Sequence, residues 1–213
     1  MVVTDLAPVT ELDLLVGSIL TTRPEEDRFL YEEEYEWLLL LQKLLQEHNV
    51  EIDLFAQPGV QIWEGGITRF LDFYQLRLLA VYLEHNHSID DILAVSPGMY
   101  EKIDHLLASV LERQQPTQFL HLIDHQIDGG YYLPVDFADP IWIDVSQDQD
   151  VEDEDVELVS FGSSIVLQQE LTILEHLLRT SNVPREHPAF RCLQILQTAT
   201  EQSVRNNLPI IIW

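Results

Sequence analysis

Two histidines stand four residues apart in His121–Leu122–Ile123–Asp124–His125. On a helix, positions i, i+3, i+4 and i+7 share one face, so His121, Asp124, His125 and Asp128 would line up. Two imidazoles at that spacing can hold one zinc ion, and a nearby carboxylate can activate its bound water. The chemistry would be metal-assisted hydrolysis. A simpler account is a solvated polar face opposite an apolar one made of Phe119, Leu120, Ile123 and Ile127.

The spacing is similar to the H-x-x-E-H motif of the inverted-zincin peptidases, with Asp124 where that motif has Glu. The resemblance implies His121 and His125 as ligands and Asp124 as the base, although an aspartate reaches metal-bound water less well. It covers five residues and brings no third ligand. A metal-dependent hydrolase is therefore the alternative reading. The leading expectation is a protein without a cofactor and without catalysis.

Seven carboxylates crowd the stretch Asp148, Asp150, Glu152, Asp153, Glu154, Asp155 and Glu157. A calcium loop of the EF-hand type needs Gly at its sixth position and Glu at its twelfth. Counted from Asp148, those positions hold Asp153 and Val159, so the pattern fails. Residues 146–157 read as a flexible acidic loop able to dock a basic partner.

The whole chain shares this character. It has 37 acidic and 11 basic residues among 213, a formal net charge of −26. Such a surface repels nucleic-acid phosphate and anionic lipid and attracts cationic proteins. Ser88–Leu107 has the outline of a helix-turn-helix, but Glu101 and Asp104 on its second helix would repel DNA. The single cysteine, Cys192, forbids an intrachain disulfide and fits a reducing compartment. The first residues lack a signal-peptide pattern, and no apolar run is long enough to span a bilayer. These features together predict a soluble, cytoplasmic protein.

Periodicity supplies the elements. Leu12, Leu15, Val16 and Ile19 predict a short helix over Thr10–Leu20. Thr22 and Pro24 predict the start of a second, running to about His48. Gln57–Pro58–Gly59 marks a turn between extended flanks, and Gly65–Gly66 leads into an amphipathic helix carrying Ile67, Phe70, Leu71, Tyr74 and Leu78. Further helices begin near Ser88, Ser96 and Pro116, the last ending at Gly129–Gly130. Tyr131–Phe137 and Ile141–Val145 alternate as strands, with Pro134 placing the first at a sheet edge. Val156–Phe161 is a third strand candidate. Helices follow from Ser164 and Ala189, and the terminal run Leu208–Trp213 reads as a buried strand.

The resulting expectation is a predominantly α-helical α+β fold. It forms a single domain over residues 1–213, with about seven to eight helices and a mostly antiparallel sheet of about three to five strands. The functional expectation is an interaction module, such as an inhibitor, immunity-type or adaptor protein, that binds a basic protein and neither nucleic acid nor membrane. Tyr131, Tyr132 and Trp142 would anchor the partner, while Asp148, Asp150, Asp153 and Asp155 steer it. A structural homo-oligomer is a further alternative.

Overall fold

The run Ile210–Ile211–Ile212 forms the central strand of the molecule. The computed structural model describes residues 10–94, 104–126, 128–145 and 158–213. The terminal strand, β6 (Ile210–Ile212), lies between β1 (Leu12–Gly17) and β3 (Tyr131–Leu133). Beyond β1 lies β2 (Gln61–Ile67), and beyond β3 lie β5 (Leu158–Ser163) and β4 (Ile141–Asp144). The order is therefore β2-β1-β6-β3-β5-β4, with β2 and β4 at the edges. Only β3 and β5 run parallel, and the other pairs are antiparallel.

Both faces of the sheet are covered. On one, Leu12, Leu14, Val16, Tyr132, Ile210 and Ile212 meet α2 (Phe70–Glu84), α6 (Ser164–Thr180) and α7 (Pro188–Asn206). On the other, Leu15, Leu133, Ile143, Phe161 and Ile211 meet Leu38, Leu41 and Leu45 of α1 (Arg28–Glu47). Three short helices complete the described residues: α3 (Asp90–Ala94), α4 (His105–Leu111) and α5 (Leu120–Ile123).

Six strands among the described residues correct the expectation of three to five; the pairing is mostly antiparallel, as expected, with β3 and β5 the parallel exception. The two strands that sequence reasoning missed are β1 and most of β2. In β1, alternate side chains enter different cores, so polar residues do not mark one face. A short apolar run buried on both sides has no readable period. Gly65 and Gly66 lie inside β2, opposite Leu14 and Asp13, rather than ahead of a helix. A side chain at Gly66 would collide with Thr10, so close backbone approach accounts for the glycine.

Other boundaries move for local reasons. Helix α1 starts at Arg28 because Asp27, not Thr22, caps it, accepting from the backbone N–H groups of Phe29 and Leu30 at 3.0 and 3.1 Å. Thr21 and Thr22 instead bind the Glu34 carboxylate. Pro134 shortens β3 to three residues, but that strand is internal, not an edge. The cap expected for α6 is present, Ser163 accepting the Val166 N–H at 3.1 Å, while α7 begins one residue earlier than expected, with Pro188 in its first turn. The helix expected from Ser96 lies outside the described residues until α4.

Candidate functional site

The histidine pair does not share a helical face. Helix α5 is a single turn ending at Ile123, with Asp124 as its C-terminal cap. The following backbone groups are taken by other parts of the chain. Arg77 donates to the His125 carbonyl at 2.8 Å, and Gln126 N–H donates to Ser160 Oγ at 3.0 Å. These tertiary bonds replace the helical ladder that the spacing alone predicts.

Both histidines are buried and committed to the protein. His121 Nδ1 accepts the Ser163 N–H at 2.9 Å, so its Nε2–H faces the carbonyls of Phe137 and Ala138, at 3.1 and 3.2 Å. Burial pushes the His121 pKa below its ordinary value, which keeps the ring neutral. His125 lies stacked on Tyr132, ring centroids 4.0 Å apart, with carbonyl oxygens of Gln126 and Tyr131 2.8 and 3.1 Å from its two nitrogens. Burial lowers its pKa to about 4, so it too is neutral near pH 7.

Asp124 points elsewhere. It pairs with Arg113 at 2.5 Å and accepts the Trp142 indole N–H at 3.1 Å. No group of three His, Cys, Asp or Glu side chains among the described residues is placed to hold a metal ion. The metal reading of His121, Asp124 and His125 is therefore corrected. These residues join α5 to the sheet.

A buried carboxylate completes that joint. Glu170 of α6 accepts the N–H groups of His121 and Leu122 at 2.9 and 2.8 Å. Those are first-turn donors of α5, which have no partner within the helix. Burial raises the Glu170 pKa to about 8 despite these two bonds. The buried Arg77 guanidinium lies 4.5 Å above the Phe73 ring, its pKa lowered by burial to about 10 and still charged at neutral pH.

The three aromatic residues expected to anchor a partner lie in different settings. Tyr132 is fully buried and donates its hydroxyl to the His121 carbonyl at 2.9 Å. Tyr131 is half-buried between Phe161 and Trp37. Trp142, on edge strand β4, is exposed. Asp148, Asp150, Asp153 and Asp155 fall outside the described residues.

Charge is distributed unevenly over this scaffold. Residues 164–206, which hold α6 and α7, contain four acids and four arginines. The other 33 acids face only seven basic residues, so this remainder carries the whole net charge of −26. On α1, Glu32, Glu33 and Glu36 are exposed, and the preceding turn adds Glu25, Glu26 and Asp27. Arg28 and Lys43, the cations of α1, pair with Glu32 and Glu47 at 2.8 and 4.0 Å. Glu33 and Glu36 have no ion pair among the described residues.

The described residues form an acidic α+β scaffold whose sheet is covered on both faces. The chain matches the family described as "Putative DNA-mimic protein" over residues 10–212, and it belongs to that family. No curated protein and no solved structure matches the chain. Membership corrects two expectations. The general inhibitor, immunity-type or adaptor module, with its hydrolase and homo-oligomer alternatives, gives way to membership of a family described by DNA mimicry. The partner expectation, a basic protein and no nucleic acid, is corrected in that the family description points to DNA-binding proteins.

Proposed function

We propose that this protein occupies the DNA-contacting surface of a DNA-binding protein and so competes with duplex DNA. The observation that carries this reading is family membership across nearly the whole chain. The charge supports it. Duplex affinity comes largely from lysine and arginine meeting phosphate, a contact that does not require a nucleic acid on the other side. A protein that presents dense carboxylates on a folded frame offers those cations an alternative counter-charge.

The acidic segment 146–157 and exposed Trp142 are the residues we assign to steering and anchoring, with Asp148, Asp150, Asp153 and Asp155 as the charges of greatest effect. We read the chain as one folding unit, because its first and last strands are neighbours in the sheet. No helix of the described residues is long and apolar enough to cross a membrane. A cytoplasmic location suits a decoy for DNA-binding proteins and agrees with the single buried thiol of Cys192.

The test is competitive release. Proteins from a nuclease-treated extract are retained on the immobilised chain at low salt, then challenged with duplex DNA or with a neutral polymer. The reading expects DNA-binding proteins that duplex DNA releases and the neutral polymer does not. Retained proteins indifferent to DNA would contradict it.

A further inference from the structure

We propose that the outward face of α1 receives the partner, and that it fits proteins which grip DNA by phosphate contacts and inserted apolar side chains rather than by base sequence. This rests on the reading of the chain as a DNA decoy. Phe29, Glu33, Glu36 and Leu40 recur at i, i+4, i+7 and i+11, one stripe along the helix, with Glu32 and Leu39 beside it. The inward face is already used: Leu38, Leu41 and Leu45 are buried in the core.

The apolar content of the outward side is unusual. Twelve large hydrophobic residues are exposed among the described residues, and five of them, Phe29, Leu30, Tyr35, Leu39 and Leu40, lie on α1. Phe29, Leu39 and Leu40 lie on or beside the outward stripe, an apolar surface of the kind that marks a protein contact, whereas Leu30 and Tyr35 lie towards the core side, Tyr35 against Phe55 with ring centroids 4.5 Å apart. Phe29 is 73% exposed and Leu39 47%, so these side chains are not completing the core.

Charge complementarity selects the occupant. Glu33 and Glu36 lie within the apolar stripe without ion pairs, and Glu25 and Glu26 extend the acidic charge beyond its start. A second copy of the chain would bring another −26 charge against this one, whereas a cationic DNA-contacting surface is attracted. The stripe's polar groups are carboxylates and Lys43 alone, so it can stand in for phosphate. It has no array of mixed donors and acceptors like that of base edges, by which sequence is read. Proteins that bend DNA without reading sequence combine Arg and Lys with Phe, Leu, Ile, Met or Pro wedges. Carboxylates flanking Leu39 and Leu40 provide a counterpart to both.

The experiment measures release of a fluorescent random duplex from two purified probes, HU and a non-sequence-specific HMG box, with a homeodomain on its own site as contrast. The full chain should displace duplex from the two probes and be about tenfold weaker against the homeodomain. Glu33→Gln/Glu36→Gln and Leu39→Ser/Leu40→Ser should each weaken displacement about tenfold, while Glu186→Gln/Glu201→Gln should leave it within about twofold. All these positions are exposed, and unchanged thermal melts establish that the variants fold.

Three results would overturn the proposal. Absence of displacement from both probes, or equal displacement from the homeodomain, removes the partner class. α1 variants indistinguishable from wild type remove the surface. A dimer by light scattering that Leu39→Ser/Leu40→Ser dissolves assigns the face to a second copy. None of these affects release of captured proteins by DNA, which tests the decoy reading separately.

Discussion

Glu170 on α6 accepts the backbone N–H of His121 at 2.9 Å, and this bond fixes the start of α5 against α6. The arrangement carries a pH dependence. Burial raises the Glu170 pKa from its ordinary value of 4.5 to about 8, so the folded protein holds a proton that the unfolded chain releases. Stability linked to this group is full below about pH 4.5 and declines as pH rises through about 8, by up to a few kcal/mol. Urea unfolding at pH 5 and pH 8 should show this decline in wild type. Glu170→Gln, which cannot titrate, should lose less between the two values.

The His121 ring joins three segments through hydrogen bonds to Ser163, Phe137 and Ala138. His121→Ala leaves the buried Ser163 N–H without its acceptor, which should cost about 2–4 kcal/mol. Denaturant midpoints measure the loss. Metal content should be equally low in wild type and variant, since neither histidine presents a free lone pair to an ion.

Tyr132 and Gly162 face each other across the parallel pair of strands. A methyl group at Gly162 would collide with the Tyr132 ring, which is itself sandwiched against His125. Gly162→Ala should therefore destabilise by about 1–3 kcal/mol. A melting temperature equal to that of wild type would show that the ring has room to move.

Glu34 is the inward carboxylate of an otherwise outward acidic run. It accepts from both Thr21 and Thr22, through backbone and hydroxyl donors, at 2.6 to 3.0 Å. Burial pushes its pKa up, but these bonds outweigh that and hold it below the ordinary value. Its contribution to stability is therefore present above the unfolded pKa and lost as pH falls through the folded one. Glu34→Ala should cost about 1–3 kcal/mol and release the 18–27 segment to faster amide exchange. Glu33→Ala, one residue away and exposed, should change stability by less than about 0.5 kcal/mol.

Helices α6 and α7 were legible from their single apolar stripes, α6 also from its Ser163 cap, and β6 from its β-branched run. The strand β1 was not, because both its faces are buried and its Leu-rich run lacks the β-branched residues that marked β6. The His121–His125 spacing misled for a related reason: hydrogen bonds from Arg77 and Ser160, distant in sequence, end the helix that local spacing favours. The acidic character of the surface was plain from composition. The imitation of DNA that we propose for it was not, since carboxylates that steer a basic protein and carboxylates that replace phosphate have the same composition.

Competition with duplex DNA tests the central claim most directly. A purified DNA-binding partner, identified by retention on the chain, is titrated with the chain in the presence of labelled duplex at several salt concentrations. The account predicts mutually exclusive binding, with affinity for the chain falling as salt rises. Asp150→Asn/Asp153→Asn/Asp155→Asn should slow association and flatten that salt dependence. A ternary complex of partner, duplex and chain would contradict it.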